Sequence, residues 1–162
     1  MNGSDNGGWQ IAGSATLGCT YSGGGYQVAT NSSSTYVPCT AQNLTGRDFA
    51  FQAQMTITSS TSNGGGLIFR QAYRFHVDNG SYDLAGPPKQ VSGTNPYLNV
   101  NGGQSMSLTV IAKGSDIYLY VNGYLLTHIQ DSTSSSGGFG LFAVDFSSST
   151  TIVFTNVKIW QL

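Results

Sequence analysis

Glutamate is missing from this chain: all seven acidic residues are aspartate. Any acid–base chemistry is left to the shorter carboxylates of Asp5, Asp48, Asp78, Asp83, Asp116, Asp131 and Asp145, or to His76 and His128. Charge of either sign is scarce, 8% of 162 residues, against roughly a quarter in an average soluble protein. The six basic residues, Arg47, Arg70, Arg74, Lys89, Lys113 and Lys158, are scattered without a run, and the net charge is -1. A nucleic-acid partner is therefore not expected, because that affinity comes mostly from neutralising phosphates. No stretch approaches the ~20 apolar residues needed to cross a bilayer, so this segment is not expected to insert into a membrane. Residues 1–8 have neither the basic start nor the apolar run of a signal peptide and are expected to be flexible. An exported protein would carry its signal or anchor elsewhere.

Helix signals are also lacking: apolar residues do not recur at i, i+3, i+4 and i+7 without glycine or β-branched interruptions. There are only two cysteines, Cys19 and Cys39. Their spacing fits neither C-x-x-C redox chemistry nor a zinc knuckle. A disulfide between neighbouring strands, implying an oxidising compartment, is favoured over a pair of buried thiols. The glycine triplets at 23–25 and 64–66 lie between strand-like runs rather than before a helix, so they are read as turns and not as phosphate loops.

What the chain has in plenty is strand pattern. Phe49, Phe51, Ala53, Met55 and Ile57 alternate with Ala50, Gln52, Gln54, Thr56 and Thr58, which buries one face and leaves the other polar. Strands are expected at Leu67 to Arg70, Tyr73 to Val77, Tyr82 to Leu84, Met106 to Ala112, Ile117 to Val121, Tyr124 to Gln130, Phe139 to Val144 and Ile152 to Trp160. Shorter ones are expected at Trp9 to Ile11, Tyr26 to Ala29 and Thr35 to Val37. Asn122-Gly123 is a strong two-residue hairpin signal. The proline-bearing stretch from Gly86 to Gly103 reads as a long surface loop with at most a short edge strand. About a dozen short strands with frequent turns describe one all-β domain over residues 1–162, a two-sheet antiparallel sandwich.

The succession GGLIFR, YRFHVDNGSYDL, SLTVIAKGSDIYLYVNGYLLTHIQD, GGFGLF and IVFTNVKIWQL resembles the concanavalin A-like lectin/glucanase superfamily. The likeness is to bacterial family 16 glycoside hydrolase-like, 3-keto-disaccharide hydrolase-like and laminin-G-like domains. It is good over Phe49 to Leu162 and loose over Trp9 to Thr45, and it implies a jelly-roll sandwich. It does not imply the family 16 glucanase activity, whose paired glutamates have no counterpart here. Related sandwiches often hold a structural calcium, and Asp78 and Asp83 are the weak candidates for it.

Alternation sends Arg74 and His76 outward if Phe75 faces the core, and Tyr118 and Tyr120 outward if Ile117, Leu119 and Val121 do. Aromatic faces, planar amides, guanidinium and imidazole are the groups that recognise sugars. Gln52, Gln54, Arg70, Arg74, His76, Tyr118, Tyr120 and His128 are the candidate ligand-binding set. The function expected is a non-catalytic extracytoplasmic module binding carbohydrate or a glycoconjugate. The alternatives are a glycosidase of the 3-keto-disaccharide type working through aspartate and histidine, and a structural or adhesive module.

Overall fold

A computed structural model describes residues 8–31, 36–58, 63–87, 90–98, 103–146 and 148–162. The flexible segment expected over residues 1–8 falls outside the described residues except for Gly8, and so does Thr35. Parts of the expected loop from Gly86 to Gly103, residues 88–89 and 99–102, also lie outside them.

The described chain forms two antiparallel sheets. In chain order the strands are β1 (Ala12–Ser14), β2 (Leu17–Ser22), β3 (Gly25–Ala29), β4 (Tyr36–Gly46), β5 (Phe49–Ile57), β6 (Gly64–Phe69) and β7 (Tyr73–Val77). They continue as β8 (Ser81–Ala85), β9 (Val91–Thr94), β10 (Ser105–Lys113), β11 (Asp116–Val121), β12 (Tyr124–Gln130), β13 (Gly137–Val144) and β14 (Thr151–Gln161). One sheet has eight strands in the order β1-β2-β3-β14-β5-β10-β11-β12, the other six in the order β4-β13-β6-β7-β8-β9. This is the all-β two-sheet jelly-roll sandwich expected from the sequence. Central β5 and β14 are neighbours although one lies early and the other last in the chain.

The core lies between the sheets and follows from the alternation. Phe49, Phe51, Ala53 and Met55 of β5 and Leu108, Val110 and Ala112 of β10 are fully or almost fully buried from one side. Leu67, Phe69, Phe75, Leu84 and Leu141 meet them from the other. Phe139 of β13 bridges the layers edge-on, its ring 4.7 Å from Phe49 at 83° and 5.3 Å from Phe51 at 77°. That is the geometry aromatic quadrupoles prefer.

Cys19 and Cys39 are bonded, with Cα atoms 5.9 Å apart. The expected disulfide is present, and because its partners lie on β2 and β4 it ties the eight-stranded sheet to the six-stranded one. One strand was not expected, and one expected turn is corrected. Strand β2 shows no apolar alternation; it forms because β3 offers a registered partner, Cys19 opposite Val28. The triplet Gly64-Gly65-Gly66 is not a turn but the first half of β6, paired on both sides. A Cβ on Gly66 would lie 1.8 Å from the Phe75 carbonyl oxygen, and one on Gly65 2.2 Å from that of Phe142. Neighbouring backbones approach β6 closely, and only glycine admits that.

Candidate functional site

Two rows of residues cross the outer face of the six-stranded sheet. Pairing sets Thr40, Gly140, Ile68, Arg74 and Ala85 side by side, and beside them Pro38, Phe142, Gly66, His76 and Asp83. Glycine at 66 and 140 leaves the middle of this face low.

Two local distortions raise walls around it. Pairing of β13 with β4 slips between Gly138 and Gly140, so that residues 41–44 bulge outward, with Asn43 in the left-handed region at φ 58°. Such bulges bend a strand and re-aim its side chains. On the other side β6 turns into β7 through Arg70 and Gln71, both non-glycine and both left-handed, at φ 47° and 59°. Strain of this kind persists only where the surroundings impose it. Here the restraint is the Arg70 side chain, which is fully buried. Its Nε and Nη2 donate to the Arg47 carbonyl at 3.1 and 2.7 Å, Nη2 also to Gly114 at 2.9 Å, and Nη1 to Ser134 at 3.2 Å. Burial draws the guanidinium pKa down, and nearby Tyr73 and Asp48 oppose the shift.

The result is a groove of 540 Å³ lined by Tyr36, Asn43, Leu44, Gln71 and Arg74 among others. It continues past Tyr36 and Arg74 into a hollow of 300 Å³ lined by His76, Asp83, Phe142 and Phe146. Arg74 lies with Cζ 5.4 Å from the centre of the Tyr36 ring, a cation–π contact. Tyr36 is 39% exposed, so part of its ring is open to a ligand. His76 Nδ1 is 2.8 Å from Asp83 Oδ1, which orients the imidazole between Phe142 and Phe146. Its Nε2 is buried without a hydrogen-bond partner.

The predicted residues do not form one site. Arg74 and His76 belong to this groove. Gln52, Gln54, Tyr118, Tyr120 and His128 lie on the outer face of the eight-stranded sheet, with the core between them and the groove. There Gln52 Nε2 donates to Ser107 Oγ at 2.8 Å, and Gln54 Oε1 accepts from Asn156 Nδ2 at 2.6 Å. Tyr118 stacks on His128 at 4.2 Å and 5°. His128 Nε2 is 2.8 Å from Asp116 Oδ1, and the bonds from His128 and Gln130 hold the Asp116 pKa below its ordinary value. Alternation correctly turns all of these outward, but it cannot say which sheet a strand joins.

Arg70 is corrected from ligand-binding to structural, because its carbonyl partners hold it in the interior. Asp78, one of the calcium candidates, accepts from Ser81 N at 3.2 Å and from Ser81 Oγ at 2.5 Å, while Asp83 is engaged by His76. Among the described residues no group of three or more His, Cys or Asp side chains comes together. The reading of the sequence missed Tyr36, Asn43, Gln71, Phe142 and Phe146 as lining residues. The one available signal was the broken alternation at Gln42-Asn43-Leu44.

No family model matches the chain, and no curated protein matches it in sequence. Its fold is shared by solved structures. The carbohydrate binding module CBM66 from Bacillus subtilis superposes with a TM-score of 0.73 at 20% identity, covering 94% of both chains. A protein of unknown function with a galectin-like fold, also from Bacillus subtilis, gives 0.69 at 10% identity over 94% of this chain and 89% of that one. The catalytic domain of an endo-1,3-beta-glucanase (laminarinase) from Thermotoga petrophila RKU-1 gives 0.64 at 9% identity, over 89% and 80%. At these identities the likeness is one of fold: the two-sheet antiparallel jelly-roll sandwich is the architecture of this protein.

Proposed function

We propose that the protein is a non-catalytic carbohydrate-binding module acting outside the reducing cytoplasm. The observation that carries this reading is the groove, where a partly open tyrosine ring, a guanidinium and two amide side chains converge in one hollow. Its 540 Å³ falls within the range of about 300–1,000 Å³ usual for small-molecule sites, enough for a short oligosaccharide. Tyr36 supplies the apolar face for sugar C–H groups, and Arg74, Asn43 and Gln71 supply planar hydrogen-bonding groups for hydroxyls. The likeness to a carbohydrate binding module over nearly the whole of both chains supports the reading. The disulfide supports the compartment, since such bonds persist where thiols are not kept reduced.

A glycan array followed by calorimetry on the glycans it selects tests this directly. Tyr36→Ala is expected to weaken binding roughly tenfold or more, in line with the loss of ~1.4 kcal/mol of contact, whereas Tyr118→Ala on the opposite face leaves affinity unchanged. The reverse pattern would move the site to the eight-stranded sheet, and silence across the array would refute carbohydrate binding.

One observation favours the hydrolytic alternative: Asp83 orients His76 as a carboxylate orients a general base. The buried Nε2 and the absence of glutamate weigh against it, since sugar cleavage ordinarily uses two carboxyl groups. Release of reducing sugar from a bound glycan, lost in Asp83→Asn, would establish it.

A further inference from the structure

We infer that the groove takes an anionic sugar, with the acid group seated on Arg74; this rests on the carbohydrate-binding reading of the same groove. Arg74 is the one charged side chain among the described residues that line the 540 Å³ hollow. Across a sheet the groups that balance a charge lie directly opposite on the neighbouring strands. Opposite Arg74 stand Ile68 on β6 and Ala85 on β8, neither of which has a charge to offer. The nearest carboxylate in the register, Asp83, is diagonal to Arg74 and held by His76 at 2.8 Å. Among the described residues the Arg74 side chain forms neither an ion pair nor a hydrogen bond with the protein; its contact is with the Tyr36 ring.

In a chain with so few charges, this is a cation held in a hollow with its donors unspent. A guanidinium offers N–H groups in a planar fork that matches a carboxylate or sulfate with two parallel bonds. Bonds to an ionised acceptor are about twice as strong as those to neutral hydroxyls. The Tyr36 ring, its centre 5.4 Å from Cζ, covers one side of that fork. Asn43 and Gln71, on the two walls, then address the uncharged hydroxyls of the same sugar.

The test uses the intact protein on an array of matched pairs: uronic-acid oligosaccharides with their methyl esters, and sulfated galactans with their desulfated forms. The acidic member of a pair is expected to bind roughly tenfold tighter and to lose that advantage between about 50 mM and 500 mM salt. Arg74→Gln should abolish the preference, and Arg74→Lys should retain part of it. The mutated side chain is exposed, so melting temperatures should not move. The uronate and sulfate arms distinguish the two sources of the acid. Equal affinity for acidic and neutral members, or a preference that survives Arg74→Gln, overturns the inference. Binding of neutral glycans alone overturns it while leaving the carbohydrate-binding function intact, and silence across the whole array overturns both.

Discussion

Arg70 holds two residues in a backbone conformation that neither adopts easily, and it does so from inside the core. Removing a buried donor is costly mainly because its acceptors stay behind. In Arg70→Met the carbonyls of Arg47, Gly114 and Ser134 lose their N–H partners, and about 3 kcal/mol of stability should disappear, measured by urea unfolding. The Arg70–Gln71 turn should relax as well, so the variant is expected to bind sugar less tightly even where it remains folded. Asp116 gives a pH-dependent prediction on the opposite face. Its pKa is lowered first by the hydrogen bond with His128 and then by that with Gln130. A carboxylate with a folded pKa below its unfolded value adds stability above the unfolded value, ~3.9, and loses it as pH falls through the folded one. His128→Ala should therefore leave the acid limb of the melting curve flatter below about pH 4, read as melting temperature against pH. An unchanged acid limb would mean the pair contributes nothing. At this scale the sequence showed which residues carry chemistry but not their surroundings. Arg70 in the β6–β7 turn and Arg74 on β7 are four positions apart, yet one is interior and the other in the groove.

At the scale of strands, hairpins were legible and glycine-rich segments were not. Asn122-Gly123 adopts the left-handed pair, φ 49° and 82°, that a tight turn between β10-paired β11 and β12 requires. The signal for that is local. The β6 glycines look like a turn because their function is to have no side chain where neighbouring strands come close, and closeness is not a local property. Gly66→Ala puts a Cβ 1.8 Å from the Phe75 carbonyl oxygen. Backbone must move to relieve it, and the expected loss is about 2–3 kcal/mol by urea unfolding. A neutral result would show that β6 and β7 can separate without penalty. The bulge in β4 showed in the sequence only as the broken alternation at Gln42-Asn43-Leu44, because it is defined by a slip in pairing with β13, far along the chain.

For the whole molecule, the Cys19–Cys39 bond is a clamp between the sheets, joining β2 to β4. Closing a loop of this length removes about 3 kcal/mol of unfolded-state entropy. Unfolding in urea with and without reductant should differ by that amount, and thiol titration of the unfolded, unreduced protein should find no free cysteine. Two titratable thiols would undo both the clamp and the argument for an oxidising compartment. The sequence alone determined the all-β class, the core alternation and the outward direction of the polar residues, because a period of two is written into neighbouring positions. Only the tertiary structure decided which outward residues share a face. It assigned β7 to one sheet and β5, β10, β11 and β12 to the other, leaving Arg74 and His76 in a groove that Tyr118 and Gln52 cannot reach. The physical reason is that sheet membership depends on hydrogen bonds between strands far apart in the chain, such as β5 with β14 and β13 with β4, and local alternation carries no information about such partners.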